Sequence, residues 1–162
     1  MPASQSLKSS LLDRLLDYNP GVEKDPSVSP AQAMRELHHS VRRDLETLLN
    51  TRCRFTEIPP GLPELEQSLV NYGIPDFTGA NLASPASREQ FRRLIEGVIR
   101  KYEPRFKTVR VTLLDNAELL DRTLRFRIDA LVYAEPAPEP VVFDSLLEPV
   151  SRSVEVKGAG NE

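Results

Sequence analysis

The sequence predicts an α+β domain, with N-terminal helices packed on a small, mainly antiparallel sheet formed by the C-terminal half. Two stretches, residues 30–49 and 88–102, repeat apolar side chains at helical spacing. From Val109 onward the period switches to two, the mark of half-buried strands. Helices come first along the chain and strands afterwards, an order that argues for an antiparallel sheet. The expected organisation is a leucine-faced helix with a proline-rich linker at 1–28, one domain at 29–157, and a disordered tail at 158–162.

Leu7, Leu11, Leu12, Leu15 and Leu16 give residues 5–17 a leucine face. The stretch YNPGVEKDPSVSP at 18–30 reads as a linker. The leucine helix either folds back onto the domain or lays its apolar face, Leu11 and Leu15 included, in a partner's groove. Ser29-Pro30-Ala31-Gln32 is a capping box with proline at the first helical position. It opens a helix in which Met34, Leu37, Val41, Leu45, Leu48 and Leu49 face inward. His38 and His39 point about 100° apart on that helix, and nothing completes a metal set, so they read as solvated.

Pro63 is expected to open a short helix with Leu65, Leu69 and Tyr72 on one face, ended by Gly73 in a left-handed conformation. Ser84-Pro85 or Ser87-x-x-Gln90 caps the next helix, whose stripe is Phe91, Leu94, Ile95, Val98, Ile99 and Tyr102. Gly97 inside it suggests close packing on the sheet. Pro104 ends it, since proline has no N–H and biases Glu103 away from helical angles. Glu103 and Arg105 are thereby pinned at a helix-to-strand corner.

Strands are expected at 108–114 and 123–133, the second with Leu124, Phe126, Ile128, Ala130 and Val132 on one face. DNAELLDR at 115–122 connects them. Glu135 to Pro140 reads as a stiff spacer. Shorter strands follow at 141–145 and 150–156, joined by a turn near 147–149.

At 162 residues, with 40% hydrophobic and 28% charged residues, the chain has the material for one core. A net charge of −3 offers no bulk attraction to nucleic acid. Arg125-Phe126-Arg127 is no basic-aromatic stripe either, because Phe126 points to the face opposite its arginines. No apolar run approaches the roughly 20 residues that span a bilayer. Cys53 is alone, and the N-terminus lacks an apolar signal core, so a soluble cytoplasmic protein without membrane insertion is expected.

Catalytic motifs are wanting. Gly-x-Gly occurs only at Gly158-Ala159-Gly160, and two adjacent histidines suggest no nucleophile triad. Glycoside hydrolysis needs paired carboxylates, one with a raised pKa. Glu103 is the one acid that looks positioned, yet Arg105 beside it favours the charged form. No enzyme activity, metal or cofactor is expected.

Several segments together resemble a known family. Ser10-Leu11-Leu12-Asp13-Arg14-Leu15 comes first, then Val41-Arg42-Arg43-Asp44-Leu45-Glu46 with Leu48-Leu49-Asn50-Thr51-Arg52. Ser68-Leu69-Val70-Asn71-Tyr72-Gly73-Ile74-Pro75-Asp76 and Tyr102-Glu103-Pro104-Arg105 follow. Leu124-Arg125-Phe126-Arg127-Ile128 and Glu139-Pro140-Val141-Val142-Phe143-Asp144 complete the order. In that order they are similar to the TssE family of type VI secretion baseplate proteins, over 10–156. Cys53 and Phe55 depart from the family's more basic or small residues. The resemblance implies a structural subunit that joins TssF and TssG in the baseplate wedge. It also implies a platform for the first contractile sheath subunits, TssB and TssC. A lysozyme-like peptidoglycan hydrolase is the alternative, from an old label on the family.

The family's Glu-Pro-Arg element, here Glu103, Pro104 and Arg105, is implied to contact the bundle of partner helices. The residues alone also allow an internal brace, with Arg105 tying down carbonyls at the helix end. Arg110, Arg125 and Arg127 share one sheet face, either simply solvated or a docking face for acidic partners. Strand 150–156, with Val154 and Val156, should lie at an edge. Its charges either blunt that edge, or the edge accepts a sheath strand by β-augmentation.

Overall fold

The computed structural model describes residues 15, 21, 29–53, 61, 64–65, 68–75, 84–115, 123–134, 137–148, 151 and 153–158. Two helices, α1 (Pro30–Asn50) and α2 (Pro85–Tyr102), lie on one face of a four-stranded antiparallel sheet. The strands are β1 (Phe106–Leu114), β2 (Leu124–Val132), β3 (Glu139–Glu148) and β4 (Ser153–Gly158), in the spatial order β1-β2-β3-β4. Helix α1 packs against β4 and α2 against β1, so each helix attends one edge of the sheet.

The capping expectation for α1 holds in its main part. Ser29 Oγ accepts the N–H of Gln32 at 3.2 Å, and proline occupies the first turn. The Gln32 side chain turns forward to Glu36 instead of back to the cap. Leu37, Val41, Leu45, Leu48 and Leu49 are buried, and Met34 packs at the margin of the core. Ser84 caps α2 by position, without a side-chain hydrogen bond. Glu103 leaves the helix at φ −114° and ψ 82°, as the following proline requires. The sheet contributes Val109, Val111, Leu124, Phe126, Ile128, Ala130, Val132, Val141, Phe143, Leu147, Val154 and Val156 to a single core.

Three boundaries differ from the sequence expectation. Strand β1 starts at Phe106, and β3 runs through both the expected spacer end and the expected turn, from Glu139 to Glu148. Pro140 is tolerated because β4 pairs β3 only from Phe143 onward. Nothing in the sheet awaits the missing N–H on that side. Strand β4 begins at Ser153 and keeps Gly158 in its ladder, paired with Phe143, so Gly158 is not part of a tail.

Residues 64–65 are helical and Leu69–Asn71 form a single 3₁₀ turn, so the expected short helix is broken. Its apolar face is also not shared as expected. Leu69 is 81% exposed, whereas Tyr72 packs edge-on against Tyr102 with ring centres 5.2 Å apart. Gly73 does adopt positive φ, +107°, and lets the chain turn back on the end of α1. There Ile74 N–H donates to Thr51 O at 2.9 Å and Cys53 N–H donates to Ile74 O at 3.0 Å. Gly97 is exposed, and a methyl group there would meet nothing within 4 Å. Close packing on the sheet is therefore not its reason. The leucine helix at 5–17, with Leu11, the linker at 18–28, most of the 115–122 connection and the tail from 159 lie outside the described residues. Leu15 alone of the leucine face is described, helical and 80% exposed.

Candidate functional site

The helix-to-strand corner gathers charged groups from three separated segments. Glu103 is only 5% exposed, and Arg105 beside it is half-buried. Arg105 Nε donates to Glu103 Oε1 at 2.6 Å, and its Nη2 donates both to Glu103 Oε2 and to Asp44 Oδ2, the latter at 2.7 Å. Nη1 reaches Ser40 Oγ at 3.2 Å. Every guanidinium nitrogen thus has an acceptor within the chain. Burial opposes the Arg105 charge, but the Glu103 and Asp44 carboxylates outweigh it and raise its pKa further.

The brace expected from the sequence is present in a different form. Arg105 ties α1 to the corner through a carboxylate and a hydroxyl, not through helix-end carbonyls. The main-chain carbonyl of Arg105 accepts the Tyr133 N–H at 2.9 Å, which anchors the end of β2 to the same corner. Tyr72 closes it from the loop side. Burial raises its phenol pKa, and the Asp44 and Glu103 charges add to the effect. Pro104, between the two charged residues, is exposed. Leu69 and Val70, on the turn that leads into Tyr72, are exposed as well, as is Tyr133.

Sequence reasoning missed Ser40, Asp44 and Tyr72 as members of this cluster. A signal was there for the first two. Ser40 and Asp44 are one helical turn apart and flank Val41 and Leu45 on the buried stripe, where a polar residue requires a partner.

The outer face of the sheet carries Arg110, Arg125 and Arg127, all exposed, as expected. Opposite charges face them in register: Arg110 pairs across from Asp129, and Arg127 from Asp144. Arg127 Nε donates to Asp144 Oδ1 at 2.8 Å. The hydrogen bond and charge of Asp144 raise the Arg127 pKa. The face is a mosaic of both signs, more than a purely anion-seeking surface.

Val154 and Val156 do not offer an open edge. Their side chains are buried, and the outward main-chain groups are largely taken. Val154 N–H donates to Asn50 Oδ1 and Val154 O accepts from Asn50 Nδ2, both at 2.8 Å. Val156 O accepts from Arg42 Nη1 at 3.3 Å. Of the two expectations for this edge, blunting or acceptance of a sheath strand, the second meets an obstacle: α1 side chains already stand where an added strand would pair at Val154 and at Val156 O.

For hydrolytic chemistry the arrangement points the wrong way. An open cleft of about 540 Å³ beside β1 holds two carboxylates, Glu89 and Glu96. Hydrogen bonds from Arg92 and Arg93 lower the Glu89 pKa to about 2. Burial pushes Glu96 up, but the Val111 N–H and the charges of Arg92 and Arg100 overcome it, and its pKa is also lowered. A general acid needs the opposite shift. Among the described residues no three His, Cys, Asp or Glu side chains could hold a metal ion, and no helix is long and apolar enough to cross a membrane.

A family model described as baseplate wedge protein gp25 matches residues 35–137, from the first turns of α1 to the approach to β3. The chain belongs to the baseplate wedge protein gp25 family. The matched span includes the whole Glu103–Arg105 corner with its partners Ser40, Asp44 and Tyr72. A solved structure, "The baseplate complex from the type VI secretion system", contains a similar chain at 21% identity. That match covers 70% of this chain and 96% of the other, with a TM-score of 0.49. No curated protein matches. The wedge family is a structural one, in keeping with a corner whose charges are spent on holding the fold.

Proposed function

We propose that this chain is the TssE-like wedge subunit of a type VI secretion baseplate, acting in the cytoplasm without catalysis. It joins TssF and TssG and serves as the platform on which the first TssB and TssC sheath subunits assemble. Membership of the baseplate wedge family carries this reading, and the ordered motifs shared with TssE narrow it to type VI secretion.

The corner supports it with a division of labour. Glu103 and Arg105 are turned inward and fix the shape of the bend. Pro104 and the exposed Leu69 and Val70 stand outward beside it, with Tyr133 joined to the corner through its main chain. Partner helices from TssF and TssG meet this apolar rim and not the guanidinium itself. The mixed-charge outer face with Arg110, Arg125 and Arg127 is left for the sheath side.

Replacing Leu69 and Val70 together by Asp tests the reading. Both side chains are exposed, so the melting temperature should stay within a degree or two of wild type. TssF and TssG should vanish from affinity purifications of the tagged chain. Undiminished recovery of both partners would overturn the assignment of this rim. The lysozyme-like alternative predicts turnover of purified cell wall, and none is expected, since Glu89 and Glu96 are held in their charged forms.

A further inference from the structure

The two edges of the sheet are closed by the same device, built from different residues. At the β4 edge the Asn50 amide presents an acceptor to Val154 N–H and a donor to Val154 O, as a neighbouring strand would. Its second amide hydrogen goes to Glu46 O at 2.8 Å, which fixes the plane of the group on α1. Arg42, two helical turns earlier, takes the carbonyl of Val156. At the β1 edge the pair of groups comes from α2. Glu96 Oε2 accepts the Val111 N–H at 3.2 Å and Arg92 Nη1 donates to Val111 O at 3.4 Å. Arg92 and Glu96 are themselves paired at 2.7 Å. In both cases a valine on the edge strand, whose side chain is in the core, has both outward main-chain groups bound by a helix.

We propose that these two plugs act as strand mimics that keep the free subunit from pairing edge to edge with a second copy of itself. The chemistry favours that occupant. A strand edge with matched, unmet donors and acceptors pairs with any equivalent edge, and a homogeneous solution supplies mainly its own. The charges that usually blunt such edges are weak protection here. On β4, Glu155 and Lys157 pair with each other at 3.1 Å and cancel. The proposal does not depend on the wedge partners proposed above, because it concerns the isolated chain.

The test is sedimentation velocity over a wide concentration range on wild type, Asn50→Ala, Glu96→Ala and the double variant. Val41→Ala, a buried truncation on α1, serves as a destabilised control that touches neither edge. Wild type and Val41→Ala are expected to remain monomeric. The plug variants, still folded by circular dichroism, should at least double in mean mass as concentration rises. Hydrogen exchange of the Val154 amide in Asn50→Ala should be fast in the dilute monomer and slow in the associated form. Plug variants that stay monomeric at every concentration would overturn the proposal. So would equal association of Val41→Ala, which would trace the effect to lost stability, or self-association of the wild type.

Discussion

Arg105→Ala separates a brace from a contact residue in one experiment. The substitution removes the Arg105 side-chain donors to Glu103 Oε2 and to Asp44 Oδ2, and leaves Glu103 with the Arg105 N–H, at 3.2 Å from Oε1. The Glu103 side chain is 6% exposed and Asp44 34%, so one of the two carboxylates has little access to water. Breaking a buried pair by removing one partner costs ~3–5 kcal/mol, and the partial exposure of Asp44 puts the expected loss near the lower end, about 3 kcal/mol. For a chain of this length each kcal/mol lowers the melting temperature by roughly 2–4 °C, so a fall of about 6–12 °C is expected. Thermal and urea unfolding of purified protein measure it. Adding Glu103→Gln to the alanine variant should recover part of the loss, since the uncompensated charge is gone. An unchanged melting temperature, with only partner binding lost, would refute the inward brace.

Two glycines should respond in opposite directions. Gly97→Ala, on an exposed helical position with open space for the methyl group, should stabilise the fold by up to ~1 kcal/mol in urea unfolding. Gly73→Ala should be destabilising by at least ~2 kcal/mol, since φ is +107° and the new methyl would lie 2.3 Å from Thr51 O. A carboxyl titration followed by NMR should find Glu89 protonating near pH 2, far below the 4.5 of a free glutamate. A depressed folded-state pKa means that its stabilisation is complete above about 4.5 and is lost as pH falls through 2. Arg92→Ala should return Glu89 and Glu96 toward the ordinary range.

Much of the fold was legible because each element carries its own period. The stripes of α1 and α2 and the alternation in β2 follow from burial of one face, with Met34, Leu94, Val98 and Tyr102 partly buried at the margin of the core. Legibility failed where a local signal was overridden by position in the sheet. Pro140 looked like part of a spacer, yet β3 can hold it because its neighbour β4 ends before reaching it. Pro104 announced the corner, but the residues that meet Arg105 lie 61 and 65 positions away and come together only in the folded state. The edge plugs were invisible for the same reason. Asn50 reads as an ordinary polar residue at a helix end until Val154, 104 positions later, is placed beside it.

A wedge subunit that works through outward surfaces, with its buried charges committed to shape, should be found bound to the rest of its baseplate. Purification of the tagged chain from cells that assemble the apparatus, read by mass spectrometry, tests it most directly. TssF and TssG in stoichiometric yield, with TssB and TssC enriched when the sheath is assembled, is the predicted result. Recovery of this chain alone, under conditions where the other baseplate subunits are present and soluble, would contradict it.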